Sequence, residues 1–280
     1  MLVLVLLCVA FALVAIATYT DIRSREVPDW LNFAGIAAGF GIRLVWALQT
    51  NDWAQLGWGA MGFALFFAIG VLMYYTGQWG GGDSKLMMAL GVLFGFDFTL
   101  YSIALAFLIW ALFAGAAYGL VWSLVLAVIH RKDFVARYAA LSRKYAKAHV
   151  PVWVALILGI TFAIASDDQL FRVLMLSVAL AAPVLFYLML CVKAVENCCM
   201  YKSVRPDQLT EGDWIAKNIV IKGKYICGPK DLGATKNTIQ QLRKLNVKSV
   251  LVKEGIPFVP SFFIAFVLTA TLGSPLVWFF

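Results

Sequence analysis

Two carboxylates in this chain stand where carboxylates are costly. Asp21 lies just past the apolar run that opens the sequence, in "TYTDIRSREVPDWLN", and Asp83 follows three glycines in "QWGGGDSKLMMALG". Two carboxyls at one level of a helical bundle can converge across its core. At close range in a partly dry site they cannot both ionise, so they share a proton. One then serves as general base toward a water, and the other as acid toward a carbonyl oxygen or a leaving amine. That is the chemistry of peptide hydrolysis by an aspartic dyad. Gly80, Gly81 and Gly82 fit the same reading, because residues without side chains take positive φ and let an extended substrate backbone approach Asp83. Irregular backbone at membrane depth is tolerated where it lines a wet cavity. Little packing should hold so bare a segment, so the helix carrying Asp83 is expected to move toward Asp21 when substrate enters. Taken singly, an acid at the end of an apolar run is an ordinary interfacial charge and a glycine triplet an ordinary turn; the pair gives both their weight. Glu26 and Asp29, in the loop after Asp21, are competing acids and are expected to pair with Arg23 and Arg25 at the surface.

The elements that must position the pair are read from composition. Of the 280 residues 62% are hydrophobic and only 14% charged, too little polar surface to cover a water-soluble domain of this size. Runs of the roughly 20 residues that cross a bilayer recur at 2–20, 31–48, 55–76, 84–96, 99–129, 150–166, 169–193 and 257–280, the fourth being short. They are continuous rather than alternating, which argues against a β-barrel. The first run has neither a basic start nor a small-residue cleavage site, and reads as a retained helix. The expected fold is an all-α polytopic membrane protein of about eight transmembrane helices, with the lipid bilayer as its partner.

Charge gives the orientation. Every basic residue except Arg43 and Arg172 falls after the first, third, fifth or seventh run: Arg23 and Arg25, then Lys85, then a cluster from Arg131 to Lys147, then a longer one from Lys193 to Lys253. The other connections carry Asp52, Asp97, Asp167 and Asp168. Basic residues stay on the cytoplasmic face, so Asp21 and Asp83 are cytoplasmic and both termini face outward. This pattern accounts for the net charge of +8 without a nucleic-acid partner. The domains expected are a membrane domain over 1–129, a basic cytoplasmic loop over 130–149, an additional transmembrane hairpin over 150–193, a small cytoplasmic α+β module over 194–255 and a final transmembrane helix over 256–280. In the module, "DWIAKNIVIKGKYI" alternates as a strand does and "VKSVLVKEG" reads as another. "NTIQQLRKL" has helical spacing at Ile239, Leu242 and Leu245, with Asn237 or Thr238 as cap. The five cysteines (Cys8, Cys191, Cys198, Cys199 and Cys227) include no C-x-x-C pair, so neither a metal nor a cofactor is expected.

These residues resemble a known family. Asp21 followed by "VPDWLN", G-x-G-D at Gly80, Gly82 and Asp83, and "GIPFVPSF" opening the last run are similar to the type IV prepilin peptidases, and more closely to their archaeal branch, the preflagellin (archaellin) peptidases. These are intramembrane GxGD aspartyl proteases. The resemblance implies that Asp21 and Asp83 are the catalytic pair, that Gly80, Gly81 and Gly82 shape the active-site loop, and that Pro257 and Pro260 support the substrate site. It implies as substrates pilin-like or archaellin-like precursors, whose class III signal has a short basic head before a hydrophobic helix. The cut would fall at the cytoplasmic membrane surface. Bacterial members often carry a zinc module of two C-x-x-C pairs and N-methylate their product; neither pair is present here, so no N-methyltransferase activity is expected. They also usually have Asn where this chain has Asp29. Rival classes predict other features. A transporter or channel using intramembrane carboxylates should show internal repeats, and no second "GGGD" occurs. A presenilin-like protease should have Tyr before its first aspartate and a P-A-L triplet; here Thr20 precedes Asp21 and the triplet is absent.

Overall fold

The computed structural model describes residues 1–221, 223–231 and 233–278. Helices α1 (Leu2–Ser24), α2 (Asp29–Thr50), α3 (Ala54–Tyr75), α4 (Gly81–Phe94) and α5 (Ile103–Ile129) come first, then α6 (Arg131–Lys144), α7 (Ala146–Ala165) and α8 (Gln169–Cys199). Strands β1 (Tyr201–Val204), β2 (Trp214–Ile215), β3 (Ile219–Ile221) and β4 (Lys224–Cys227), helix α9 (Lys236–Lys244), strand β5 (Val250–Lys253) and helix α10 (Val259–Leu272) follow, with a 3-10 turn over Pro275–Trp278. The chain divides into two compact units. The first holds Met1–Gly119, Arg205–Val250 and the chain from Gly255 onward; the second holds Leu120–Val204 and Leu251–Glu254.

Six helices, α1, α2, α3, α5, α7 and α8, are long and apolar enough to cross a membrane, as a multi-pass membrane protein requires. All eight expected runs are helical, but α4 and α10 have 14 residues each. At 1.5 Å per residue that is about 21 Å, short of the roughly 30 Å of a hydrocarbon core. Each of the two stops at a glycine in left-handed backbone, Gly95 and Gly273, both at φ 68°. The last two residues of the expected final run lie outside the described residues. The basic stretch 130–149, expected as a loop, carries α6, because "RKDFVARYAALSRK" is rich in good helix formers and has no Gly or Pro.

In the first unit α4 is the core. Its buried residues, from Ser84 to Phe94, lie on nearly every side, the mark of a helix enclosed by others. Lipid tails are as apolar as Leu, so close packing rather than the hydrophobic effect must hold such helices together. α3 buries Gly59, Gly62, Phe66 and Gly70 on one stripe. At Gly62 and Gly91 a methyl group on either would strike the other's carbonyl oxygen, so the α3 and α4 backbones touch. Beyond that contact, Phe66 stacks on Phe107 at 6.1 Å, and Phe94 meets Phe107 at 5.0 Å and Phe266 of α10 at 6.1 Å.

The short soluble segments follow the same logic. The "DWIAKNIVIKGKYI" stretch forms three strands rather than one, and Gly223, at φ 77°, turns the chain between β3 and β4. β3 and β4 pair antiparallel, with Ile219 opposite Cys227 and Ile221 opposite Lys224. α9 is capped by Thr235, whose hydroxyl accepts from the Thr238 amide, and not by Asn237 or Thr238. Ile239 and Leu242 are buried, whereas Leu245 falls past the helix end and is exposed. β5 alternates buried and exposed as expected. In the second unit α7 packs against α8, with Gly159 close to Ala179. Asp168 starts α8 by accepting from the amides of Leu170 and Phe171 at 2.8 and 3.2 Å. His149 lies between Ser142 and Tyr187, at 3.2 and 3.1 Å.

Arg43, one of two basic residues off the basic side, is 3% exposed. Its Nε donates to the Val92 carbonyl at 2.9 Å, Nη2 to the Leu93 carbonyl at 3.0 Å and Nη1 to the Gln55 carbonyl at 2.9 Å. The last carbonyls of any helix lack intrahelical partners, and a cation at that end also complements the helix dipole. Arg43 thus supplies from α2 the cap that lets α4 end inside the protein. Arg43→Ala is expected to lower the thermal unfolding midpoint in detergent, by the equivalent of about 3 kcal/mol, since it strands buried carbonyls.

Candidate active site

Asp21 belongs to the last turn of α1 and is 5% exposed. Its Oδ2 accepts the backbone N–H of Val259 at 2.9 Å. Val259 is the first residue of α10, one of the amides that a helix leaves unpaired, and a carboxylate is well placed at that positive end. Pro257 and Pro260 are both buried and flank this amide. Pro260 suits the first turn of a helix because its missing N–H would have had no partner there. Arg25 ends α1 in left-handed backbone, at φ 59°, and donates Nη1 to the Gly255 carbonyl at 3.0 Å. The last turn of α1 therefore holds the lead-in to α10 at two points. Arg25 and Tyr118 of α5 are near enough to interact electrostatically with Asp21.

Asp83 is the third residue of α4 and half-buried, with Gly80 as the residue before the helix. Its Oδ2 reaches back to accept the Gly80 N–H at 3.1 Å, and the Ser84 hydroxyl returns a bond to the Gly80 carbonyl at 3.1 Å. This is the carboxylate half of a capping box, in which the side chain closes the turn that precedes it. The triplet therefore starts a helix and does not supply positive φ: Gly80 is extended, at φ −71° and ψ 166°, and the left-handed residue of the loop is Gly77, at φ 69°. The glycines differ in how much room they have. A methyl group on Gly80 would meet only the Asp83 carboxylate, at 3.5 Å, and one on Gly81 only Tyr74, at 3.9 Å. One on Gly82 would come within 3.2 Å of both the side chain and the carbonyl of Val27. Close approach, the other expected use of these glycines, is thus confined to Gly82, and the neighbour it admits in this structure is Val27.

The first turn of α2 grips the same place. Asn32 Nδ2 donates to the Gly82 carbonyl at 3.2 Å, and Asp29 Oδ1 pairs with Lys85 Nζ at 2.6 Å. Asp29 thus pairs with the lysine two residues past Asp83 and not with Arg23 or Arg25; Arg23 Nη1 donates instead to the Tyr19 hydroxyl. The segment expected to be held loosely is therefore held by Val27, Asp29 and Asn32. On its other side Trp79, next to Gly80, packs edge-on against Phe262 at 5.2 Å and lies 6.0 Å from Phe258, the residue before Val259. The two aspartates come close enough to interact electrostatically. Asp21, Asp83, the glycine segment and the proline-bearing start of α10 are brought to one place. Trp214 of β2 also reaches the loop, 3.3 Å from where a methyl group on Gly77 would lie. Among the described residues no three His, Cys, Asp or Glu side chains cluster as metal ligands.

Residues 8–129 match the type IV leader peptidase family. The matched stretch contains both aspartates and all three glycines, so the resemblance carried by these motifs is borne out there. A preflagellin peptidase of Methanococcus voltae is 31% identical over 88 residues, 31% of this chain and 37% of that relative. A prepilin peptidase, EppA, of Methanothermobacter thermautotrophicus is 34% identical over 105 residues, 36% of this chain and 27% of that relative. A preflagellin peptidase of Methanocaldococcus jannaschii is 32% identical over 78 residues, 28% of this chain and 33% of that relative. The chain thus spans about a third of the length of the curated relatives it matches. No solved structure matches it.

Asn32, Val27 and Trp79 had no place in the expected site. Asn32 carried a readable signal, since a lone amide shares the buried stripe of α2 with Leu31, Gly35, Gly39 and Arg43, and a polar residue on a packed face inside a membrane calls for a partner. The unequal room at the glycines gives a test by thermal unfolding. Gly81→Ala should leave stability unchanged or raise it by up to about 1 kcal/mol through the unfolded chain. Gly82→Val should cost about 1–3 kcal/mol, because Val27 must give way.

Proposed function

We propose that this protein is an intramembrane aspartyl endopeptidase that cleaves class III signal peptides from pilin-like or archaellin-like precursors at the cytoplasmic membrane surface. What supports the reading is that Asp21 and Asp83 are near enough to interact electrostatically, that the Oδ2 of each accepts a backbone amide, and that both lie within the stretch that matches the leader peptidases. Fixing by backbone amides sets the orientation of both carboxylates before substrate arrives, and preorganisation of this kind lowers the barrier. The pair holds one proton. The unprotonated carboxylate takes a proton from water as its oxygen attacks the scissile carbonyl carbon, and the protonated one gives its proton to the carbonyl oxygen. When the tetrahedral intermediate collapses and the C–N bond breaks, the proton taken from water passes to the leaving amine, and a hydroxyl proton of the intermediate returns to the other carboxylate as the carbonyl reforms, so the pair again holds one proton. The names of the relatives supply the substrate class: preflagellin and prepilin. A precursor with an extended segment ahead of its apolar helix would present its backbone beside the Asp83 turn.

Two measurements test this reading. With purified protein in detergent and candidate precursors, Asp21→Asn and Asp83→Asn should each cut the cleavage rate on the order of a thousandfold or more, because an amide can neither hold nor give the proton. Asp21→Asn should still fold, as its amide oxygen can accept from Val259. An active single variant would remove that residue from the mechanism. The orientation rests on the charge asymmetry. Cysteines engineered at Asn51 or Asp167 should be labelled from outside intact cells by a membrane-impermeant thiol reagent, and labelling only after permeabilisation would invert the topology.

A further inference from the structure

Asn32 is fully buried, at 0% exposure, on the first turn of a membrane helix. Its amide nitrogen donates to the Gly82 carbonyl at 3.2 Å, and its Oδ1 is buried with no hydrogen-bond partner among the described residues. The magnitudes are instructive. One neutral hydrogen bond contributes about 1 kcal/mol net, whereas an unpaired buried acceptor costs about 1–3 kcal/mol. On this count Asn32 does not stabilise the fold, and an apolar side chain of similar volume would serve stability as well or better. What its bond does reach is the peptide unit joining Gly82 to Asp83. That unit is pressed on the same side by Val27, and Lys85 just beyond it is tethered to Asp29, three residues before Asn32.

We propose that Asn32 is a positioning residue for Asp83. Its Nδ2–H fixes the Gly82–Asp83 peptide plane, and hence the direction in which the Asp83 carboxyl faces Asp21, and stability is given up to do so. The ion pair beside it cannot do the same work. It is part-exposed, with Asp29 at 61% and Lys85 at 35% side-chain exposure, and such pairs restrain their partners weakly. The hydrogen bond from Asn32 is directional, and its donor is fully buried on a short side chain. The proposal rests on the peptidase reading given above.

The test compares Asn32→Leu and Asn32→Ala with the wild type in detergent, reading thermal unfolding, kcat and KM on one cleaved precursor. Asn32→Leu is expected to unfold at or above the wild-type temperature, with kcat down by about tenfold to a hundredfold, as a misplacement of about 1 Å costs, and KM within twofold. Asn32→Ala should share the loss of kcat and, leaving a cavity, unfold earlier. Normal turnover by either folded variant overturns the proposal. So does a rise in KM without a fall in kcat, which would make Asn32 a substrate contact. If Asn32→Leu unfolds well below the wild type, or neither variant folds, the residue serves the fold and the proposal fails. Absence of cleavage by the wild-type protein on every precursor tried would instead overturn the peptidase reading, so the two failures are told apart.

Discussion

Asp21 accepts the first amide of α10 from a position 238 residues earlier in the chain. Both partners of that bond are buried at a helix end, where an unpaired amide or carboxylate is costly. Breaking it by removing one partner leaves the other stranded, the costly case for any buried polar pair. The bond therefore constrains everything around it. α1 must end where α10 begins, Pro260 must sit where a missing N–H is harmless, and Phe258 and Phe262 are brought against Trp79 beside the glycine segment. Structure and proposed chemistry draw on the same atom.

The second carboxylate depends on how α4 is fixed along its own axis. At its far end Arg43 takes the carbonyls of Val92 and Leu93; at its near end Asn32 takes that of Gly82. Both donors come from α2, eleven residues apart on one buried stripe. Between them the backbone contact of Gly62 with Gly91 sets the distance to α3. With both ends and one flank specified, α4 can neither slide nor turn without losing these contacts, so the height of Asp83 is set by the far end of α4 as well as by its own neighbours.

The legible part of this architecture was local. Apolar runs announce helices, and Asp21, Asp83, Pro257 and Pro260 stood out because polar or helix-breaking residues at the ends of such runs are conspicuous. What could not be read was relational. The glycine triplet suggested positive φ, but Asp83 folds back on Gly80 and turns the triplet into a helix start, a choice settled by one side-chain bond. Asp29 sat near two arginines in sequence, yet the fold gave it Lys85. Arg43 looked like a stray charge until the end of α4 came to rest against it. The break within the β3–β4 stretch lay in a single glycine, while the alternation of β5 was plain because burial of one face leaves a period of two.

The brevity of α4 sets the site apart from its membrane. Six helices are long enough to take their depth from the lipid around them. α4, of 14 residues and enclosed by its neighbours, takes its depth from protein contacts alone. Lipids with longer chains would thicken the hydrocarbon layer and change the tilt of the long helices, but would not lengthen α4. The distance between Asp83 and the headgroups then becomes a property of the host bilayer, and under the proposed function the bond brought level with the two carboxylates would be selected partly by membrane thickness.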